Sequence, residues 1–259
     1  MNILIRVIKA EYIKNNTTFM FWLTVLMPVI MAGGMSMLVL LDNNYHADIP
    51  ARWHITFTYT FYFHAFVFIQ ILFIGHIHYL EHTNHTWKNL YVLPLPGWVV
   101  FFAKLIFTWL VLAVNMLLFY LSVLVSEYLI SLIRPELGFQ HGNYWLEALL
   151  PTLKLLPAST AVTAIMFWIS HHFKTLLIPI VLGLTGYASA FVLFLITNRR
   201  GYDGFPYAEF HPFNFMGFAF SSFGTGNHWI NIRFSYYGLL VGGIVVIIHY
   251  WISRRQLIA

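Results

Sequence analysis

Six apolar runs, each about as long as a bilayer is thick, leave this chain little freedom in how it folds. They lie at about 19–41, 55–79, 98–126, 148–170, 175–197 and 234–252. A helix needs roughly 20 consecutive apolar residues to cross the hydrocarbon core, and it satisfies its own backbone polar groups there. Only 9% of the 259 residues are charged, against about 25% in soluble domains. The expectation is an all-α polytopic membrane protein, one domain over residues 1–259, with six transmembrane helices.

The charge that remains reads as a topology signal. The net charge is +5, yet no run of Lys and Arg forms a phosphate-binding face, so a nucleic-acid partner is not expected. There is no cysteine, hence no disulfide and no thiolate metal site. The run from Phe19 to Leu41 is too long for a signal peptide and is expected to stay as the first span. With the N-terminus inside, the inner segments hold Arg6, Lys9, Lys14, Lys88, Lys104, Lys174, Arg254 and Arg255. The outer ones hold Arg52, Arg134, Lys154, Arg199, Arg200 and Arg233. The excess inside favours cytoplasmic termini.

The segments between spans differ in kind. Residues 1–18 carry Arg6, Lys9 and Lys14, with Leu4, Ile8 and Tyr12 four apart, a pattern that predicts an amphipathic helix lying along the membrane face. Loops are expected at 42–54 and 127–147, and a tight turn at 171–174. Within 198–233, the stretch from Phe213 to Gly224 is apolar but too short to cross, which predicts a re-entrant segment before the last span, packed over the outer mouth of the bundle.

The second connection is the most ordered. From Glu81 to Lys104 come a carboxylate, the polar patch Thr83-Asn84-His85-Thr86, Trp87-Lys88, Leu90, a Pro94-Leu95-Pro96-Gly97 break, and a lysine inside the next apolar run. Trp87, Leu90 and Tyr91 fall on one helical side, where they suit a groove on a soluble partner, while Glu81, Thr86 and Lys88 are expected to face water. The same stripe also suits an ordinary interfacial helix with Trp87 at the headgroups.

No GxxxxGK[ST] phosphate loop occurs, nor GxGxxG or GxSxG, so ATP must act through another polypeptide if it acts at all. The Glu81–Lys104 stretch, with Glu81, Thr86, Lys88, Leu90, Pro94 and Lys104, resembles the segment between spans two and three in permeases of exporter-type ATP-binding-cassette transporters. Where that family commonly has arginine after the Pro-Leu pair, this chain has Pro96-Gly97. The resemblance implies an ATP-binding subunit that carries ATP and Mg, and a second permease copy or a related permease. It also implies a bacterial inner-membrane location and no catalysis in this chain. Within that class the chain is similar to lantibiotic-immunity and antimicrobial-peptide-resistance permeases, which implies an amphiphilic peptide or drug-like cargo drawn from membrane lipid.

Two other readings stay open at this point. Of thirteen histidines, His76, His78, His82, His85, His171 and His172 fall near the proposed inner face, and the spacings His78/His82 and His82/His85 suit metal ligation. A membrane di-iron oxidase uses clusters of that general sort, although no HxxHH occurs, and ordinary hydrogen bonding is the plainer role. A membrane scaffold or immunity protein that works without ATP also fits the hydropathy. Polar residues within spans are His64, Gln70, Asn115 and Lys154. The first three are expected to bond between helices. Lys154, flanked by Pro151 and Pro157, is expected to lie in an unwound outer end, where it snorkels or pairs with Glu147. Gly238-x-x-x-Gly242 and Gly183-x-x-Gly186 are expected at close helix contacts, and Pro28 with Gly33-Gly34 in a bent first span.

Overall fold

The structure is a computed structural model that describes residues 3–42, 51–83, 96–139, 144–200, 206–221 and 232–256. Among these residues there is no strand. The α-helices are α1 (Ile3–Asn15), α2 (Phe19–Leu41), α3 (Ala51–Thr83), α4 (Gly97–Ile133), α5 (Tyr144–Ala158), α6 (Thr160–His172), α7 (Leu177–Arg200), α8 (Phe215–Ser221) and α9 (Ile232–Gln256). Six segments are long and apolar enough to span a membrane: α2, α3, α4, the α5–α6 pair, α7 and α9.

Burial shows which spans form the centre. The apolar windows of α3 and of α5–α6 are each 61% buried, against 17% for α7 and 28% for α2 and α9. On the peripheral helices, large apolar side chains such as Trp22, Ile30, Val192, Leu240 and Ile247 point outward, the surface that a lipid solvent requires. The core is aromatic. Tyr62 stacks on Phe119 at 3.5 Å between centroids, Tyr59 meets Phe119 edge-on at 4.9 Å, and Phe218 stacks on Phe234 at 5.0 Å.

Several boundaries differ from the sequence expectation. α3 starts at Ala51, directly after Pro50, a residue that helices accept only in the first turn. α4 does not stop at 126 but runs to Ile133, 37 residues in all. Its extra turns are held by a small cluster of Val39, Ile130, Leu137 and Phe139. Arg134 Nη1 fastens this end by donating to the carbonyls of Val39 (3.2 Å) and Asp42 (2.9 Å). The chain then turns at Pro135–Leu137 and Gly138, whose φ of 72° is the left-handed conformation that glycine adopts without a Cβ clash. The first span keeps its helix through Pro28, and Gly33 and Gly34 have no neighbour within 4 Å of a built Cβ.

The stretch from 213 is helical where it is described, a short 3-10 turn at Pro212–Asn214 leading into α8. Phe213, Phe215, Met216, Phe218 and Ala219 are buried, and α8 packs on α5 and α9. Residues 222–224 lie outside the described residues.

The fourth span is interrupted where α5 meets α6, and its outer end around Lys154 is not unwound as expected. Lys154 sits in regular helix between Pro151 and Pro157. The break falls at Ser159, because the proline ring at 157 removes a donor and crowds the carbonyl four residues earlier. Side chains bond to the carbonyls on either side of the break. Thr160 Oγ1 donates to Pro157 O (2.6 Å), Ser159 Oγ donates to Leu156 O (2.7 Å), and Gln70 Nε2 of α3 donates to Ser159 O (3.1 Å). α9 closes over the bend through its glycines. A Cβ on Gly238 would lie 2.4 Å from Pro157 O and 2.6 Å from Ala158 Cα, and one on Gly242 would lie 2.8 Å from Thr160 O. These are backbone atoms, so no rotamer change relieves the clash.

Gly238→Val should therefore lower the thermal unfolding midpoint of the purified protein by several degrees, since overpacking a core contact costs about 1–3 kcal/mol or more. Gly243→Ala, at a position with nothing within 4 Å, should leave the midpoint unchanged. Equal effects at both sites would contradict the close α9–α5 contact.

Candidate functional site

Two carboxylates and two ammoniums meet where α1, the end of α3 and the start of α4 converge. Glu81 lies in the last turn of α3 and Lys104 in the second turn of α4, so they bracket the connection between those helices. Lys104 Nζ stands 2.7 Å from Glu81 Oε1 and 3.0 Å from Glu11 Oε2. Lys14 Nζ stands 3.0 Å from Glu81 Oε1 and 3.2 Å from Glu11 Oε2. Each carboxylate thus touches both ammoniums, and charges of opposite sign alternate around a closed ring. The Glu81 side chain is fully buried, and those of Lys104 and Glu11 are 3% and 7% exposed. Lys14 forms the more open edge.

Such a cluster persists because its opposite charges are in contact. A buried ion loses hydration worth several kcal/mol, and only close partners of opposite sign make up for it. The four formal charges cancel, and no single residue can leave without stranding another. Local structure supports the ring from α1. Asn15 Nδ2 donates to Glu11 O (2.9 Å), and Thr18 caps α2 by accepting from Phe21 N (3.3 Å) while donating to Asn15 O (2.7 Å). Tyr12 meets Phe21 edge-on at 5.9 Å. The α1–α2 corner is therefore braced, and α1 is packed along α4.

Residues 7–189 match the family described as ABC-2 family transporter protein. The chain belongs to the ABC-2 transporter family. Neither a curated protein nor a solved structure matches it significantly. The matched residues take in well over half the chain and all four members of the charge ring. This ABC-2 permease is accordingly a multi-pass membrane component of a transporter, and its family implies an ABC ATP-binding partner.

The site residues expected from the sequence divide into three groups. Thr86, Trp87, Lys88, Leu90, Tyr91 and Pro94 lie outside the described residues. Arg6 and Lys9 are exposed on α1, whereas Lys14 turns into the ring. Glu81 was expected to face water and is instead enclosed, because Lys104 and α1 cover it. The stripe on α1 also differs. Leu4 and Ile8 are half-buried and Tyr12 is exposed, while the residues fully covered are Glu11 and Asn15. Glu11 is the member that sequence reasoning missed. It is an acidic residue in a basic segment, three positions before Lys14, and that spacing was the available signal.

The remaining polar residues join spans. Asn115 of α4 accepts from Tyr62 Oη of α3 (2.6 Å) and donates to the carbonyl of Thr24 on α2. His64 of α3 bonds to Tyr187 of α7, and Gln70 of α3 reaches Ser159 and Thr163 at the bend. Near the ring, His78, His171, His172 and His249 pack with centroids 5.0–6.1 Å apart. His78 pairs through Nδ1 with Ile74 O and meets Phe167 edge-on at 4.4 Å. Among the described residues, no three His, Cys, Asp or Glu are arranged to hold a metal ion. His85 lies outside those residues.

Lys104→Met should be among the most damaging single substitutions, because it leaves two carboxylates with one ammonium, at about 3–5 kcal/mol for breaking a buried pair. Glu81→Gln combined with Lys104→Met leaves Glu11 and Lys14 balanced and should recover most of that loss. Thermal unfolding of wild type, both singles and the double measures the coupling. A double variant no more stable than Lys104→Met would contradict a charge-balanced ring.

Proposed function

We propose that this permease is one half of an ATP-driven exporter whose 81–97 connection receives the stroke of a separate ATP-binding subunit. The observation that supports this most is the charge ring. It fastens both ends of that connection to each other and to α1, so a push on the connection is delivered to three helices at once rather than absorbed at a loose end. ATP and Mg belong to the partner subunit. Two cassettes close when ATP binds, the connection and α1 move together, and the spans switch from inward to outward opening.

Six spans supply half of such a pathway, so a second copy or a related permease completes it. The positive charge bias supports cytoplasmic termini in a bacterial inner membrane, and Arg6 and Lys9 on the exposed side of α1 support an interfacial position for that helix. The aromatic content and the similarity to immunity permeases support an amphiphilic peptide or drug-like cargo, and with it a role in antimicrobial-peptide resistance.

The test is affinity purification of the tagged chain from its native host, followed by ATPase assay. An ATP-binding-cassette subunit should co-purify with ATPase activity, and Trp87→Ala with Leu90→Ala should release it or abolish ATP-dependent transport while the permease still folds. A chain that purifies without any ATPase, or a double variant that transports normally with its ATPase attached, would overturn the proposal.

A further inference from the structure

On the side of the bundle away from the charge ring, a cleft opens between α5 and α9. Leu150, Leu153, Lys154 and Pro157 line one wall, and Ile232, Ser235, Tyr236 and Leu239 the other. Leu153, Tyr236 and Leu239 are exposed, so the cleft opens to the surface that faces lipid, while Lys154 is only 8% exposed. Ser235 Oγ donates to Lys154 O at 2.9 Å and ties the two walls together. The cleft begins at Ile232, the first residue of α9, and runs to Leu239, about 10 Å of helix. Lys154, Ser235 and Tyr236 lie about one turn in from Ile232, and Pro157 and Leu239 lie a further turn along.

That gradient matches one kind of molecule, a charged head at the membrane edge with a hydrocarbon tail running inward. The head must be anionic. Lys154 has an interaction of its own within the protein, but an ammonium has three N–H donors and can serve a further acceptor. The neighbouring cation, Arg233, does not line the cleft: its Nη2 donates to Glu209 at 3.1 and 3.2 Å, and its guanidinium lies over Phe234. Nor does a soluble anion fit, because most of the cleft wall is apolar and offers it nothing.

We propose that the α5–α9 cleft is a binding site for an anionic phospholipid of the surrounding membrane, its phosphate on Lys154 and Tyr236 and one acyl chain along Pro157 and Leu239. The site does not depend on the transport reading. A lipid there would lie against the Pro157–Ser159 bend and the glycines of α9, the part of the fourth span whose helix is already interrupted.

Native mass spectrometry of the purified, delipidated full-length chain, titrated with phosphatidylglycerol, tests this directly. One lipid should be retained at collision energies that strip phosphatidylcholine. Lys154→Gln should weaken its binding about tenfold or more, the loss expected when a charge-assisted contact goes. Lys154→Arg should keep it, and Leu239→Trp, which fills the cleft but leaves the lysine, should remove it. Glycerol phosphate, a head without chains, should not compete. Retention in Lys154→Gln, retention in Leu239→Trp, equal binding of phosphatidylcholine, or displacement by glycerol phosphate would each overturn the proposal. Wild-type unfolding temperatures in the variants establish that a lost lipid reflects the site and not the fold.

Discussion

The four charges of Glu11, Lys14, Glu81 and Lys104 set a condition that the rest of the structure must meet. Ions removed from water are tolerable only in fixed contact with their opposites, and in this ring each carboxylate meets both ammoniums. α1 must lie along α4, and α3 must end where α4 begins. A sequence of mostly interchangeable apolar residues would leave those helix positions weakly specified, because leucine against leucine resembles leucine against lipid. Charge pairing makes one arrangement distinct.

The opposite part of the bundle is organised by the loss of side chains and of donors rather than by charge. The fourth span is interrupted just after Pro157, Ser159 and Thr160 bond to carbonyls beside the break, and Gly238 and Gly242 let α9 come within backbone contact of it. Gln70 joins that bend to α3, and Asn115 joins α4 to both α2 and α3. Gln70, Asn115 and His64 thus each join one span to another. The bundle therefore has a charge-fastened part and a glycine-packed part.

The spans were legible because twenty apolar residues in a row have one stable use, and Phe19–Leu41 matches its expected limits to the residue. Limits set by tertiary contact were not. Nothing local to residues 127–133 shows that Ile130 packs on Val39 and Phe139, so α4 was expected to end a full seven residues early. The charge ring was half visible. Glu81 and Lys104 stood out as charges bordering the second connection, but Glu11, the second carboxylate on Lys104, lies 93 positions before it, and no short-range pattern links them. The same gap explains why Glu81 was assigned to water. A lone carboxylate at the end of an apolar run reads as a surface residue until two lysines from other helices enclose it.

What joins these features is a claim about sides: the connection that the ring fastens must stand on the membrane face where ATP is found. Since the chain has no cysteine, one introduced by Lys88→Cys gives a label site without background. Treated with a membrane-impermeant maleimide, it should react in inside-out vesicles and stay unmodified in intact cells. Modification in intact cells would put the connection on the outer face, out of reach of any cytoplasmic ATPase, and would contradict the claim.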